Sequence, residues 1–299
     1  MHRNTLLGLI GTFGIWLTAG LSLPFVNVLN SFSVEQLMIA RGLVTALLAA
    51  ILLRITVLPV DRYALLSGLG FAGGCLGLYH GIRELGPSLT IVVFTTAPVI
   101  NFIIAWYKGR HVSLAAIVSL ILMLGGVAIA LEPWGSGTKL STQGLLWCIF
   151  GTISGALYFE ALSKAHEGRQ ATWDNRLHLC FWQALIVGVV GMIGTLFSKT
   201  PLIIPDGKTA GLLIGFALVG GFLYFLSYIE AFAHLPIDAA SVLAQGETPA
   251  VILMSGVIVG DKLNLLQWLG VAIALYGAWY LSRWLSKQAS KEENLAASG

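Results

Sequence analysis

Charge is scarce in this chain. Of 299 residues, 17 are Lys or Arg and 14 are Asp or Glu, so 10% are charged, whereas a soluble domain carries roughly a quarter. That scarcity excludes an ordinary water-soluble fold. Cysteine is nearly absent too: Cys75, Cys148 and Cys180 show no CxxC or Cys/His spacing, so neither a zinc site nor a disulfide framework is expected. The three read as small packing residues. No complete Gly-xxxx-Gly-Lys-Ser/Thr phosphate loop is present, so ATP hydrolysis is not expected. The carboxylates form no paired motif of the kind that holds a metal and diphosphate in membrane enzymes acting on prenyl or lipid substrates. An enzyme is therefore disfavoured, and no metal or cofactor is expected. The net charge of +3 comes without a basic stripe, which gives no reason to expect nucleic acid.

What is abundant is apolar surface. Hydrophobic residues make up 57% of the chain and the mean hydropathy is +0.84, values that belong in a bilayer. Apolar segments near 5–29, 34–55, 63–82, 87–107, 112–131, 143–163, 177–198, 209–232, 237–259 and 264–284 each approach the ~20 residues needed to span. An all-α integral membrane protein of ten transmembrane helices is expected. The first segment lacks a small-residue cleavage pattern and reads as a retained helix, not a signal peptide.

Lys and Arg in the connections set the orientation. With the N-terminus in the cytoplasm, the inner side carries Arg3, Arg54, Arg62, Lys108, Arg110, Lys164, Arg169, Arg176, Arg283, Lys287 and Lys291, against Arg83, Lys139, Lys199, Lys208 and Lys262 outside. A cytoplasmic membrane protein with both termini inside is expected.

The chain also repeats itself. Leu65, Leu66, Gly68, Gly73, Gly74 and Leu76 recur at one offset as Leu212, Leu213, Gly215, Gly220, Gly221 and Leu223. After a short insertion Pro98, Gly109, Leu114, Leu124 and Gly126 recur as Pro249, Gly260, Leu265, Leu275 and Gly277. Matched glycines and prolines mark matched backbone geometry. The hydrophilic break from Glu132 to Thr142 separates two sets of five spans, and an odd number per set makes them inverted. Domains are expected at 1–134 and 135–286, with a polar cytoplasmic tail at 287–299. Paired Gly/Pro-interrupted segments in two inverted halves point to a transporter's substrate site near the midplane.

Ala97-Pro98-Val99 followed by Gly109-Arg110-His111, and Glu247-Thr248-Pro249 followed by Gly260-Asp261-Lys262, carry a resemblance to the EamA-type members of the drug/metabolite transporter superfamily. It covers nearly the whole chain. Asp261 fits the family's acidic position after the glycine, and Arg110 departs from it. Glu247 is displaced by one residue from the family's Glu-Pro pair, and Leu17 follows Trp16 where the family often has a small residue. The resemblance implies transport of small metabolites, often export.

Glu247 is the sharpest single residue. It lies near the centre of the ninth span, where a carboxylate costs several kcal/mol unless protonated, paired or hydrated, and intramembrane ionisable residues mark function by default. It is open to three roles: binding a substrate amine, carrying a proton as the coupling ion, or stitching helices together. Pro98 and Pro249 free the carbonyls of Phe94 and Gln245, which at this depth must meet protein, water or a ligand. Thr95, Thr96, Thr248 and Ser241 are near enough in sequence to take part. Arg41 lies roughly 10 Å inside the second span, at 1.5 Å per residue. It is suited to a substrate acid or to Glu247, with snorkelling to the interface as the plain alternative. Gln245, Asn101, Tyr79 and Tyr224 complete the candidate set, with Pro98 and Pro249 as the helix-break positions. His80, near an outer helix end, reads as solvated. Glu160 and Glu230 read as interface charges, neutralised by Lys164, Arg169 or Arg176.

The function expected is a secondary transporter that moves, and most naturally exports, a small amphipathic metabolite such as an amino acid by alternating access. The bilayer and a small-molecule substrate are its partners, with protons as the candidate coupling ion. A passive facilitator or channel, and less readily an enzyme acting on lipids, are the alternatives. The oligomeric state leaves no signal.

Overall fold

The computed structural model describes residues 3–54, 61–85, 87–131, 141–167, 172–198, 202–258 and 264–298. Every element among them is helical. The long ones are α1 (Arg3–Val28), α2 (Val34–Leu52), α3 (Arg62–Leu85), α6 (Leu114–Leu131), α7 (Thr142–His166), α8 (Trp173–Ser198) and α13 (Leu265–Ser298). Three further spans are assembled from pieces: α4 (Pro87–Phe94) with α5 (Ala97–Tyr107), α9 (Gly207–Ala217) with α10 (Tyr224–His234), and α11 (Ile237–Ala244) with α12 (Glu247–Ile258). Among the described residues, nine stretches are long and apolar enough to cross a membrane. The chain is thus an all-α, multi-span membrane protein. Two expectations fall partly outside the described residues: the break around Pro133, Gly135, Ser136 and Gly137 with its domain boundary, and the Gly260-Asp261-Lys262 motif. α13 continues through most of the polar stretch 287–299, to Ser298.

Local chemistry starts these helices where they start. Ser33 accepts from the Gln36 N–H at 3.1 Å, and the Gln36 side chain accepts from the Ser33 N–H at 3.3 Å. This reciprocal cap satisfies two otherwise orphaned donors. Asp206 caps α9 by accepting from the Thr209 N–H at 2.8 Å. Its hydrogen bonds to Thr209 hold this carboxyl below its ordinary value.

Helices pair across the two halves of the sequence. α3 packs on α7, α2 on α8, α6 on α13, and α1 on both α10 and α12. In lipid, burying apolar area gives helices no preference for each other, so association relies on close van der Waals approach at small residues. The structure uses that device: a Cβ on Gly77 would overlap the backbone of Gly151, one on Gly42 that of Gly188, and one on Gly126 that of Ala274. Gly77→Ala is expected to destabilise the protein by about 1–3 kcal/mol, as overpacking does. A thermal-unfolding midpoint unchanged from wild type would count against this, with Gly125→Ala, whose added methyl meets nothing within 4 Å, as the neutral control.

The midspan prolines act differently from a kink in a continuous helix. In the fourth and ninth spans the helix stops and restarts, so Pro98 and Pro249 fall in the first turns of α5 and α12. A missing N–H costs nothing there, because first-turn donors have no intrahelical partner. The carbonyl of Gln245, expected to be freed by Pro249, accepts from the Thr248 N–H at 3.1 Å. The break is stapled from outside by Trp16, whose indole N–H donates to the Leu243 carbonyl at 2.7 Å and whose ring occupies the space beside Gly246.

The eighth span carries a π-turn, Leu218–Leu223, between α9 and α10. Such insertions cluster at functional sites. Thr45 donates to the Ala217 carbonyl at 3.2 Å, satisfying a group at the edge of the wider turn. Gly221 lets Thr45 and the Arg41 backbone come close.

Candidate functional site

The broken spans converge on one cavity of about 90 Å³, bordered by α1, α2, α3, α4, α5, α7, α10 and the α11–α12 break. Arg41, Tyr224, Gln245 and Glu247 line it together.

Glu247 opens α12, so its carboxylate sits where the partial positive charge of a helix N-terminus favours an anion. Tyr224 donates to its Oε2 at 2.7 Å and Tyr228 to the same atom at 3.3 Å. The two tyrosines, one helical turn apart on α10, face the cavity together directly after the π-turn. Only Oε2 is engaged in these contacts.

Arg41 is 4% exposed, so it does not snorkel. Its Nη1 donates to the Tyr79 hydroxyl at 3.2 Å and approaches Cys75 Sγ at 3.8 Å, while Nε has no partner. The guanidinium carbon lies 5.0 Å from the Phe71 ring centroid, 4.9 Å from that of Tyr224 and 5.7 Å from that of Phe225. Cation–π contact offsets part of the desolvation of a buried cation, to the extent of ~2 kcal/mol when water is excluded. A carboxylate would offset more, and the hydrogen bonds Arg41 makes go to none. Tyr224 stands between the two charges, its ring on Arg41 and its hydroxyl on Glu247.

The remaining expected residues distribute around this centre. Tyr79 touches it through Arg41 without lining the cavity. Thr96 donates to the Val93 carbonyl at 2.6 Å and belongs to the helix break, not to the lining. Asn101 is 2% exposed on α5, one turn beyond Pro98, and neither amide atom has a partner. Cys75 is buried, as expected of a packing residue, yet it also faces the cavity. Phe71, Phe94, Tyr158 and Phe159 complete the aromatic wall, and sequence reasoning missed all four. Nothing in an apolar span distinguishes an inward aromatic from a lipid-facing one.

Two ion-pair clusters lie toward the ends of the spans expected to face the cytoplasm. Of Lys164, Arg169 and Arg176, expected to neutralise Glu160 and Glu230, Arg176 meets Glu230 and Arg169 lies outside the described residues, whereas Glu160 pairs with Lys108 at 2.8 Å and with Arg110, and Lys164 lies by Glu167. The chain leaves α5 at Lys108 and carries Arg110 back over α7, which is why those cations arrive first. Glu230 meets Arg176 at 2.9 Å and His234 at 3.3 Å. His80, expected to be solvated, stacks on Trp147 with centroids 4.6 Å apart and lies 3.7 Å from Glu35.

Long apolar helices gathered round an interior that holds a buried cation and a half-buried carboxylate define an integral, multi-pass membrane protein with a polar central site. Residues 142–283 match the EamA-like transporter family. The second half of the chain is therefore similar to an EamA-like transporter domain. A solved crystal structure only 15% identical shares the fold with a TM-score of 0.74, over 92% of this chain and 95% of that one. Comparison with curated proteins gives no match.

Proposed function

We propose that the protein is a secondary transporter that exports a small amphipathic metabolite, such as an amino acid, across the cytoplasmic membrane by alternating access. Glu247 takes the substrate amine or the coupling proton, and Arg41 takes the acidic group. Gln245 and Tyr224 border the substrate, Asn101 and Tyr79 flank the path to it, and the Thr96–Pro98 and Pro249 breaks serve as hinges. The observation that carries this reading is a buried Arg41 without a carboxylate partner on the same cavity wall system as Glu247.

Packing supports two inverted repeats, 1–134 and 135–286. Exchanging the halves turns the α3–α7 contact into the contact of α1 with the eighth span, and leaves α2–α8 and α6–α13 unchanged. The cavity volume of about 90 Å³ is far below the ~300 Å³ at which metabolite sites begin, so binding requires the surrounding helices to part.

A thermal-shift screen of purified protein against amino acids, nucleosides and organic cations tests the substrate class. Stabilisation by zwitterions, weakened in Arg41→Gln, is the expected result. Stabilisation by organic cations alone would remove Arg41 from the reading.

A further inference from the structure

A second cavity continues the first toward the end of the bundle expected to face outward. On each of three helices its lining is displaced in the same direction. The central cavity uses Leu23 of α1, Arg41 of α2 and Leu78 of α3, and the second uses Val26, Leu37 and Ile82. A shift of three or four residues is one helical turn. Three helices shifting together describe one continuous axis, not an unrelated surface dimple.

The polar groups along that axis are few and ordered. Arg41 stands at the central cavity, Tyr79 at the junction and Arg83, with Asn30, in the second cavity. Tyr79 is 2% exposed and lines the second cavity, while its hydroxyl accepts from Arg41 Nη1 at 3.2 Å. Arg83 follows Tyr79 by one turn on α3 and is the one charged residue bordering this cavity among the described residues. Its Nη2 donates to the Phe32 carbonyl at 2.9 Å, which fixes the side chain and leaves other guanidinium donors available. Glu35 lies by His80, and Glu84 accepts from Ser141 at 3.0 Å.

We propose that this second cavity is an outer binding site for a carboxylate, with Arg83 as its anchor and Tyr79 as the gate that separates it from Arg41. This outer site rests on the reading of Arg41 as the central anion-binding residue. A carboxylate bound end-on through Nη1 and Nη2 of Arg41 displaces the Tyr79 hydroxyl from Nη1. Its arrival frees the tyrosine, and the tyrosine is the side chain standing between the two cavities. The anion then passes from one guanidinium to another one turn further out. Arginine suits both ends, because its planar fork binds carboxylates without losing its charge.

Benzoate is the probe, since it offers a carboxylate and a ring and no amine. Equilibrium dialysis against the full protein in nanodiscs is expected to give two sites per chain. Arg83→Gln should remove the weaker site and Arg41→Gln the tighter one. Two sites persisting in Arg83→Gln, or a single site in the wild type that Arg41→Gln alone abolishes, overturns the outer site while leaving the central reading intact. Binding that survives Arg41→Gln undiminished, or no binding by the wild type, overturns both. The gate has its own readout in Cys75, which borders the central cavity. A membrane-impermeant anionic methanethiosulfonate added from outside should label Cys75 at least tenfold faster in Tyr79→Ala than in the wild type, with Cys75→Ser as the blank. Equal rates would show that Tyr79 does not close the path.

Discussion

Replacing Glu247 by Gln will abolish proton-driven flux in proteoliposomes while leaving the fold intact. The substitution preserves shape, and the amide oxygen can still accept from the hydroxyls of Tyr224 and Tyr228, which now reach Glu247 Oε2 at 2.7 and 3.3 Å. What it removes is the ability to gain and lose a proton at a site where few other groups titrate. The charged and titratable groups bordering that site are Arg41 from α2, Cys75 from α3, Tyr158 from α7, and Tyr224 and Tyr228 from α10. None of these is a second carboxylate that could take over. Counterflow of substrate down its own gradient should survive, because exchange without net proton movement does not need the carboxyl group to titrate. Flux in Glu247→Gln with the pH dependence of the wild type would end the coupling role.

Arg41→Gln is expected to weaken substrate binding by about 10- to 100-fold, corresponding to the roughly 1.5–3 kcal/mol of a hydrogen bond to a charged group. The effect should be selective. Ligands lacking a carboxylate lose no partner, so amine-only compounds should bind Arg41→Gln at least as well as the wild type. The variant also relieves the protein of a buried cation that now meets aromatic faces and a tyrosine hydroxyl. Removing an isolated buried charge is often neutral or stabilising, so a rise or no change in thermal stability should accompany the loss of affinity. Parallel loss of affinity for all ligand classes, with a fall in stability, would mark Arg41 as structural.

The sequence exposed the charged part of this site and concealed its walls, for a physical reason. Glu247 and Arg41 stand out because an ionisable side chain in hydrocarbon is costly wherever it points. Position along the span then sufficed to place them at one level. Phe71, Tyr158 and Phe159 raise no such flag, since an aromatic ring is equally at home against lipid or against another ring. Trp106 at 82% exposed and Phe225 at 0% are indistinguishable by composition. Of the repeated glycines, Gly126 serves as a helix contact against the Ala274 backbone, whereas a Cβ added at Gly215 would meet nothing within 4 Å. That Gly220 and Gly221 fall within a π-turn could not be read, because one wider turn leaves the hydrophobic run unchanged. The prolines revealed where the fourth and ninth spans are interrupted. They did not reveal that the helix ends and begins anew there, which depends on Trp16 and the neighbouring turns to hold the gap.

The partnering of helices across the halves changes what a moving part is. α1 is bound to α10 and α12 and fastened by Trp16 to the interruption before α12, while α7 lies along α3. Each half has lent its first helix to the other. For the proposed alternating access, the bodies that would rock are therefore composites drawn from both halves. The polypeptide crosses between them after α1 and again after α7, so under the proposed alternating access these two connections would bear the strain of each cycle. Under that mechanism, motion of one body would be tied to the other through the backbone itself as well as through the α2–α8 and α6–α13 contacts, coupling opening on one face to closing on the opposite face.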